Sequence, residues 1–207
     1  KPIYLNAQGF FQPEDKKIVK FKLHKGEKKA IIGYVGGINY RLDYPLLYKL
    51  IVNHPEFLFV FYGPEQRNPR LDKIYQTQKW IKKIKQYENT LFGQSSDHNF
   101  IYGLIKNFDL AIIPYNFKLR FNSYCYPMKL FEYFYFKKSV VSSAILELKS
   151  KKFNKYIRIA DNYKDWENAI EELLSNKNSK KIKNEERKIA LQNSWPNKIN
   201  KISKFID

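Results

Sequence analysis

The sequence predicts an α/β domain built on a doubly wound, mostly parallel sheet with helices on both faces. Three observations carry that expectation. Short β-rich runs alternate with helical stretches over most of the chain, the pattern of strand-then-helix units. The first, second and fourth of those runs are apolar at consecutive positions, as strands covered on both faces should be. At 207 residues the chain is long enough to bury one such core.

The elements follow in order. The first strand lies in "KKAIIGYVGG" and is followed by a helix in "YPLLYKLIVNH". The second strand is "FLFVFYGP", after which "KIYQTQKWIKKIKQY" reads as one long amphipathic segment. A third strand in "TLFGQ" leads to the helical run "HNFIYGLIKNF", and "LAIIPY" is the fourth strand. Pro127 suits a first helical position, which places Lys129 in the first turn of a short aromatic helix and Glu132 one turn later. "SVVSS" and "YIRIA" are the remaining strand-like runs, and "WENAIEELLSN" is a helix. Two ends fall outside this unit: the turn-rich lead "KPIYLNAQGFFQPEDKK" and the charged helical tail "NEERKIALQNSWPNKINKISKFID", interrupted at Pro196. The expected division is a connecting segment over 1–28, the α/β unit over 29–180 and a helical tail over 181–207. With no initial methionine, the chain is expected to be a piece of a longer protein.

Composition narrows the partners. A formal charge of +18 invites phosphate-bearing ligands. The lysines are spread along surface-like helices, however, and the aromatics sit in apolar runs, so nucleic acid is not expected as a partner. Smaller anions, such as sugar nucleotides or the headgroups of an anionic membrane touched at its surface, suit the same charge. Cys125 is the only cysteine, and His24, His54 and His98 show no zinc spacing, so neither a disulfide nor a metal site is expected. No apolar run approaches a membrane span and no secretory leader pattern opens the sequence, which points to a cytoplasmic protein, peripheral at most to the inner membrane face.

In a doubly wound sheet, ligands bind beyond the carboxyl ends of the strands where strand order reverses, in the commonest order between strands 1 and 4. That rule selects the loops "GYVGGINYR" and "PYNFKLRFNSYCYP", the second of which feeds the helix of Lys129 and Glu132. Gly36 and Gly37 would let backbone approach a phosphate, and Arg41 could clamp it; an ordinary glycine turn with a surface arginine is the plain alternative. Lys129 is badly placed for helix stability, since a cation there faces the positive end of the dipole. It is better explained by an anion, with Glu132 accepting hydroxyls, unless both are a solvated pair. Gln94 and Ser95, ending the third strand, could read a base, though a helix cap at Ser96 or Asp97 explains that stretch equally well. Tyr115 and Tyr124 lie near the crevice, where core or surface tyrosine is the simpler reading. There is no G-x-G-x-x-G and no acidic residue closing strand 2, Glu65 lying past Gly63 and Pro64, which disfavours a nicotinamide dehydrogenase. His98, Ser123 and Cys125 form no nucleophile–base arrangement.

Taken together, "KKAIIGYVGGINYRLDYPLL", "FLFVFYGP", "NTLFGQ", "FDLAIIPY", "YPMKLFEYFYFKKSVVSS" and "NSWPNKINKISKFI" resemble the C-terminal, Rossmann-like donor-binding domain of GT-B glycosyltransferases. The most specific part is the P-x-K-x-x-E-Y helix. The opening "PIYLNAQGFFQPE" is similar to the segment leaving the N-terminal, acceptor-binding domain of such enzymes. The resemblance implies a nucleoside diphosphate sugar as substrate, without a separate cofactor. It places Glu132 on the ribose, Gly37, Arg41, Met128 and Lys129 at the diphosphate, and Gln94 with its neighbour Ser95 near the base. Many retaining members carry an E-x7-E pair whose first glutamate contacts the donor sugar; here that position is Tyr124, which leaves the sugar contact and the stereochemical outcome open. The catalytic base and the saccharide or lipid-linked acceptor are expected from the N-terminal domain, so this chain alone is expected to transfer nothing. The similarity extends to enzymes of bacterial surface polysaccharide synthesis. A non-catalytic nucleotide-binding or assembly module, or less readily a basic nucleic-acid binder, are the rival readings.

Overall fold

A computed structural model describes residues 9–150, 153–176 and 179–203. Residues 1–8 of the expected lead and 204–207 of the expected tail lie outside them. Strand β1 (Ala30–Val35) passes through the loop carrying Gly36 and Gly37 to α1 (Tyr44–Asn53), whose first turn is capped by the Asp43 side chain accepting from the Leu46 N–H. Strand β2 (Phe57–Tyr62) is followed by α2 (Pro69–Tyr75) and α3 (Thr77–Ile84), then β3 (Thr90–Gly93) and α4 (His98–Asn107). Strand β4 (Leu110–Ile113) leads into the single turn α5 (Arg120–Ser123) and the aromatic helix α6 (Lys129–Tyr135). Strands β5 (Ser139–Ser143) and β6 (Ile157–Ala160), then α7 (Tyr163–Ser175), α8 (Lys180–Gln192) and α9 (Trp195–Ser203), complete the described residues.

All strand pairs are parallel and their order is β3-β2-β1-β4-β5-β6. The order reverses between β1 and β4, where Ile32 pairs with Phe59 on one side and with Leu110 on the other. The fold is therefore the doubly wound α/β sheet the alternation predicts. The central strands are closed to solvent along their length, and Leu47, Ile105, Phe131 and Trp166 bring the helices down onto them.

Two local expectations need correction. The segment 73–87 is not one helix: Gln76 takes a left-handed conformation (φ 50°) that ends α2 and starts α3. Helix α2 buries none of its residues, whereas α3 buries Thr77, Ile81 and Ile84, a difference that a single amphipathic pattern hides. Helix α6 also starts later than the proline suggests. Met128 is its N-cap and Lys129 its first residue, while the Pro127 carbonyl accepts from the Leu130 N–H at 3.1 Å.

Lead and tail meet each other. The Phe10 N–H donates to Asn193 O at 3.2 Å and the Trp195 N–H donates to Phe10 O at 3.0 Å, with the Phe10 ring buried against Phe131 and Tyr135. Helix α8 packs along α6 through Ala190. Among the described residues, no helix is long and apolar enough to cross a membrane.

Candidate donor site

The strand-order reversal opens a crevice beyond the carboxyl ends of β1 and β4, and the loops leaving those strands are knit together across it. Leu42 bridges Tyr115 in antiparallel fashion, and the Asn116 N–H donates to Arg41 O at 2.8 Å. Asn122, wholly buried on α5, completes the joint. Its amide nitrogen donates to Arg41 O and Asn116 O, both at 2.9 Å, and its oxygen accepts from Arg41 Nε at 2.8 Å. The Arg41 guanidinium is thereby fixed, with its carbon 4.6 Å from the centre of the Tyr115 ring and 4.7 Å from that of Phe121.

Lys129 enters from the other side. Its ammonium donates to Tyr34 Oη and to Tyr115 Oη, each at 2.8 Å, and lies 4.0 Å from the centre of the Tyr34 ring. Burial alone works against that charge, yet the two phenol oxygens hold the lysine above its usual range, so it stays an ammonium. This excludes the solvated-pair reading for Lys129. Arg41, Tyr115, Tyr124, Met128 and Lys129 line one cavity of about 870 Å³, so five residues that the sequence placed at the crevice share a wall. Tyr124 stands at its rim, 68% exposed. The N–H groups of Met128 and Lys129 have no acceptor among the described residues.

The two glycines do different work. Gly36 has φ +129° and its N–H donates to Tyr62 O at 2.9 Å, so it has no donor to spare for a ligand; its lack of a side chain makes room for the Lys129 ammonium. Gly37 has φ in the ordinary range, and its N–H is without an acceptor among the described residues; its carbonyl accepts from Tyr34 Oη at 3.0 Å. Asn39, hydrogen-bonded to Gln66 at 2.7 Å, holds the Gln66 side chain over Gly37, where a Cβ would collide with it.

Glu132 is half-buried and does not line that cavity. No hydrogen bond reaches its carboxylate among the described residues. Burial raises its pKa, and the charges of Lys129 and His98 offset this in part. The charges that reach the carboxylate are thus those of Lys129, one turn away on α6, and of His98 at the start of α4, just after Gln94 and Ser95. At that start the helix-cap reading holds for part of the stretch: Asp97 caps α4 by accepting from Asn99 N–H, and Ser95 Oγ accepts from Asp97 N–H at 3.0 Å. Gln94 is exposed.

Sequence reasoning passed over Tyr34, Asn39, Gln66 and Asn122. Tyr34 sits in an unbroken apolar strand, where nothing distinguishes it from core. Asn122 could have been suspected as an uncharged polar residue between aromatics in a loop already assigned to the crevice. A second cavity, about 610 Å³ and lined by Lys29, Asp109, Lys138 and Lys183, opens at the amino ends of the strands, away from the reversal. There Lys138 donates to Lys106 O and Phe108 O, closing the end of α4.

Residues 15–189 match the family described as glycosyl transferases group 1. The chain belongs to that family. TuaH of Bacillus subtilis (strain 168), assigned as a glycosyltransferase of teichuronic acid biosynthesis, is 22% identical over 184 residues, covering 87% of this chain and 44% of TuaH. Among solved structures, sucrose-phosphate synthase from Thermosynechococcus elongatus superposes with a TM-score of 0.72 at 13% identity, covering 96% of this chain and 50% of that one. HepE of Anabaena, solved with UDP, superposes with a TM-score of 0.65 at 14% identity, covering 87% and 49%. This glycosyltransferase chain therefore spans about half the length of the relatives it matches. Its architecture is that of the C-terminal half of a GT-B enzyme.

Proposed function

We propose that this glycosyltransferase domain binds a nucleoside diphosphate sugar in the β1–β4 crevice, with the diphosphate between Arg41 and Lys129 and the ribose hydroxyls on Glu132. The observation that carries this reading is the convergence of two fixed cations on one cavity beside a carboxylate that lacks a donor. The carboxylate has no such partner among the described residues, so its burial is best offset by a ligand. Gly37 and the free N–H groups at Met128 and Lys129 would add donors to the phosphates, Gln94 and Ser95 would lie toward the base, and Tyr124 would face the sugar. UDP in HepE supports the ligand class.

In the reaction proposed, the bond between the anomeric carbon and the β-phosphate oxygen breaks, and an acceptor hydroxyl oxygen bonds to that carbon. The acceptor proton passes to a base on the facing N-terminal domain, and the diphosphate leaves with its charge held by Arg41 and Lys129. A saccharide or lipid-linked acceptor, reached from the cytoplasm at an anionic membrane face, fits the assignment of TuaH to teichuronic acid biosynthesis and the basic charge of this chain. Tyr124 in place of a glutamate favours one rival, a nucleotide-binding module without transfer.

A thermal-shift panel of nucleoside diphosphates and their sugars is the test, because a ligand that binds only the folded state raises apparent stability by mass action. One base should stand out. A flat panel would remove the donor-site reading. Transfer by the full-length protein, with none by this chain, would separate the enzyme from the non-catalytic module.

A further inference from the structure

Two phenols surround the Lys129 ammonium, and they are not equivalent. Tyr34, 1% exposed, accepts from Lys129 and passes its own proton to Gly37 O at 3.0 Å, so its hydrogen bonds stay within the protein. Tyr115 accepts from the same ammonium at 2.8 Å, but its own proton has no acceptor among the described residues, and the residue lines the cavity. Its ring also neighbours both cations, with the Arg41 guanidinium carbon at 4.6 Å and Lys129 Nζ at 4.9 Å from its centre. The backbone holds it there through the bridge to Leu42 and through the Tyr115 N–H, which donates to Ile113 O. We propose that Tyr115 is a direct ligand of the diphosphate, donating its phenolic proton to a phosphate oxygen held between Arg41 and Lys129.

This rests on the donor-site reading and adds to it a neutral donor whose strength depends on pH. Burial by itself would raise the Tyr115 phenol, but the Lys129 charge, its hydrogen bond and the Arg41 charge carry it below the usual tyrosine range. The other groups facing it behave differently over the same interval. Burial pushes the Cys125 thiol up, Tyr34 and Tyr133 are likewise raised by burial, and Lys129 remains charged. Tyr115 is thus the phenol of this cluster whose proton is made easier to lose, while burial makes Tyr34 and Tyr133 hold theirs more tightly. Once ionised, Tyr115 cannot donate, and its negative charge both repels a phosphate and neutralises Lys129.

The experiment is calorimetric titration of the full chain with inorganic pyrophosphate from about pH 7 to pH 9.5, comparing wild type, Tyr115→Phe and Tyr34→Phe. The ratio of variant to wild-type affinity at each pH cancels the probe's own ionisation, and urea unfolding verifies that each variant is folded. A hydrogen bond to a charged group corresponds to roughly tenfold or more in affinity. Tyr115→Phe should bind at least about tenfold more weakly at pH 7, with the gap narrowing as the pH rises and the wild-type phenol begins to ionise. Tyr34→Phe loosens the seat of Lys129 but removes no donor to the ligand, so it should weaken binding by a similar factor at every pH, without a closing gap. A Tyr115→Phe affinity equal to wild type across the range overturns this proposal while leaving the donor site standing. If neither pyrophosphate nor any nucleoside diphosphate binds the wild type, the donor-site reading falls as well.

Discussion

The Lys129 ammonium lies 2.7 Å from where a Cβ on Gly36 would stand. The glycine therefore serves the lysine, and its φ of +129° is one that side chains of L-residues rarely adopt. Gly36→Ala should cost about 1–3 kcal/mol of stability from backbone strain and expel Lys129 from its seat between the phenols, with loss of diphosphate binding. Gly26→Ala is the control, because Gly26 also has positive φ (+56°) but open space around it. It should lose about 1–2 kcal/mol and no ligand affinity. Urea denaturation with calorimetry on both variants checks this, and equal binding losses would uncouple Gly36 from the site.

Lys129→Ala tests whether the helix dipole or the phenols dominate. Seen as a cation at a helix N-terminus, Lys129 should be neutral or mildly harmful to stability. The structure reverses that expectation, since truncation leaves Tyr34 Oη and Tyr115 Oη without their donor and removes the ammonium from the Tyr34 ring. The expected loss is about 1–3 kcal/mol in urea unfolding. A variant as stable as wild type would mean that the dipole and desolvation terms cancel the contacts.

The parallel sheet was legible because alternation and burial on both faces are written into the apolar runs, while the reversal between β1 and β4, and the crevice with it, came from the commonest order of doubly wound sheets. Arg41, Lys129 and Glu132 were legible because charges inside apolar or glycine-rich stretches stand out. Tyr34 and Asn122 were not, since their roles depend on which hydrogen-bond partners tertiary folding brings within 3 Å. The left-handed Gln76 was equally hidden, because an amphipathic pattern runs through it unbroken. Gly36 and Gly37 looked alike in sequence and separate only when the destination of each N–H is traced.

Asn122→Ala should damage binding from a position outside the cavity. All three of its side-chain hydrogen bonds converge on the joint between the two crevice loops, and one of them orients Arg41 Nε. Removing a wholly buried amide leaves the Arg41 and Asn116 carbonyls short of a donor, at a cost of about 1–3 kcal/mol. Freed to move, Arg41 should lose affinity for a nucleoside diphosphate far more than for the nucleoside. Calorimetry with the two ligands decides it, and equal weakening would show a general collapse of the loops.

Glu132→Gln should make the domain more stable and a poorer binder, and the stability gain should depend on pH. Burial raises the carboxyl above its ordinary 4.5, against a partial offset from Lys129 and His98. The native state thus holds the proton more tightly than the unfolded chain, and stability falls as pH rises from the unfolded pKa through the folded one. Above that window the whole penalty is present; below about pH 4, where both states are protonated, it is gone. Glutamine has the same size and no such penalty, so Glu132→Gln should raise Tm at pH 7 and match wild type near pH 4. Its amide offers one oxygen where the carboxylate offers two, so nucleoside affinity should drop by roughly 1–3 kcal/mol. A carboxylate kept at a cost to the free protein and repaid only by a ligand's hydroxyls would give both results together. If Glu132→Gln binds nucleoside as well as wild type, the ribose has another acceptor.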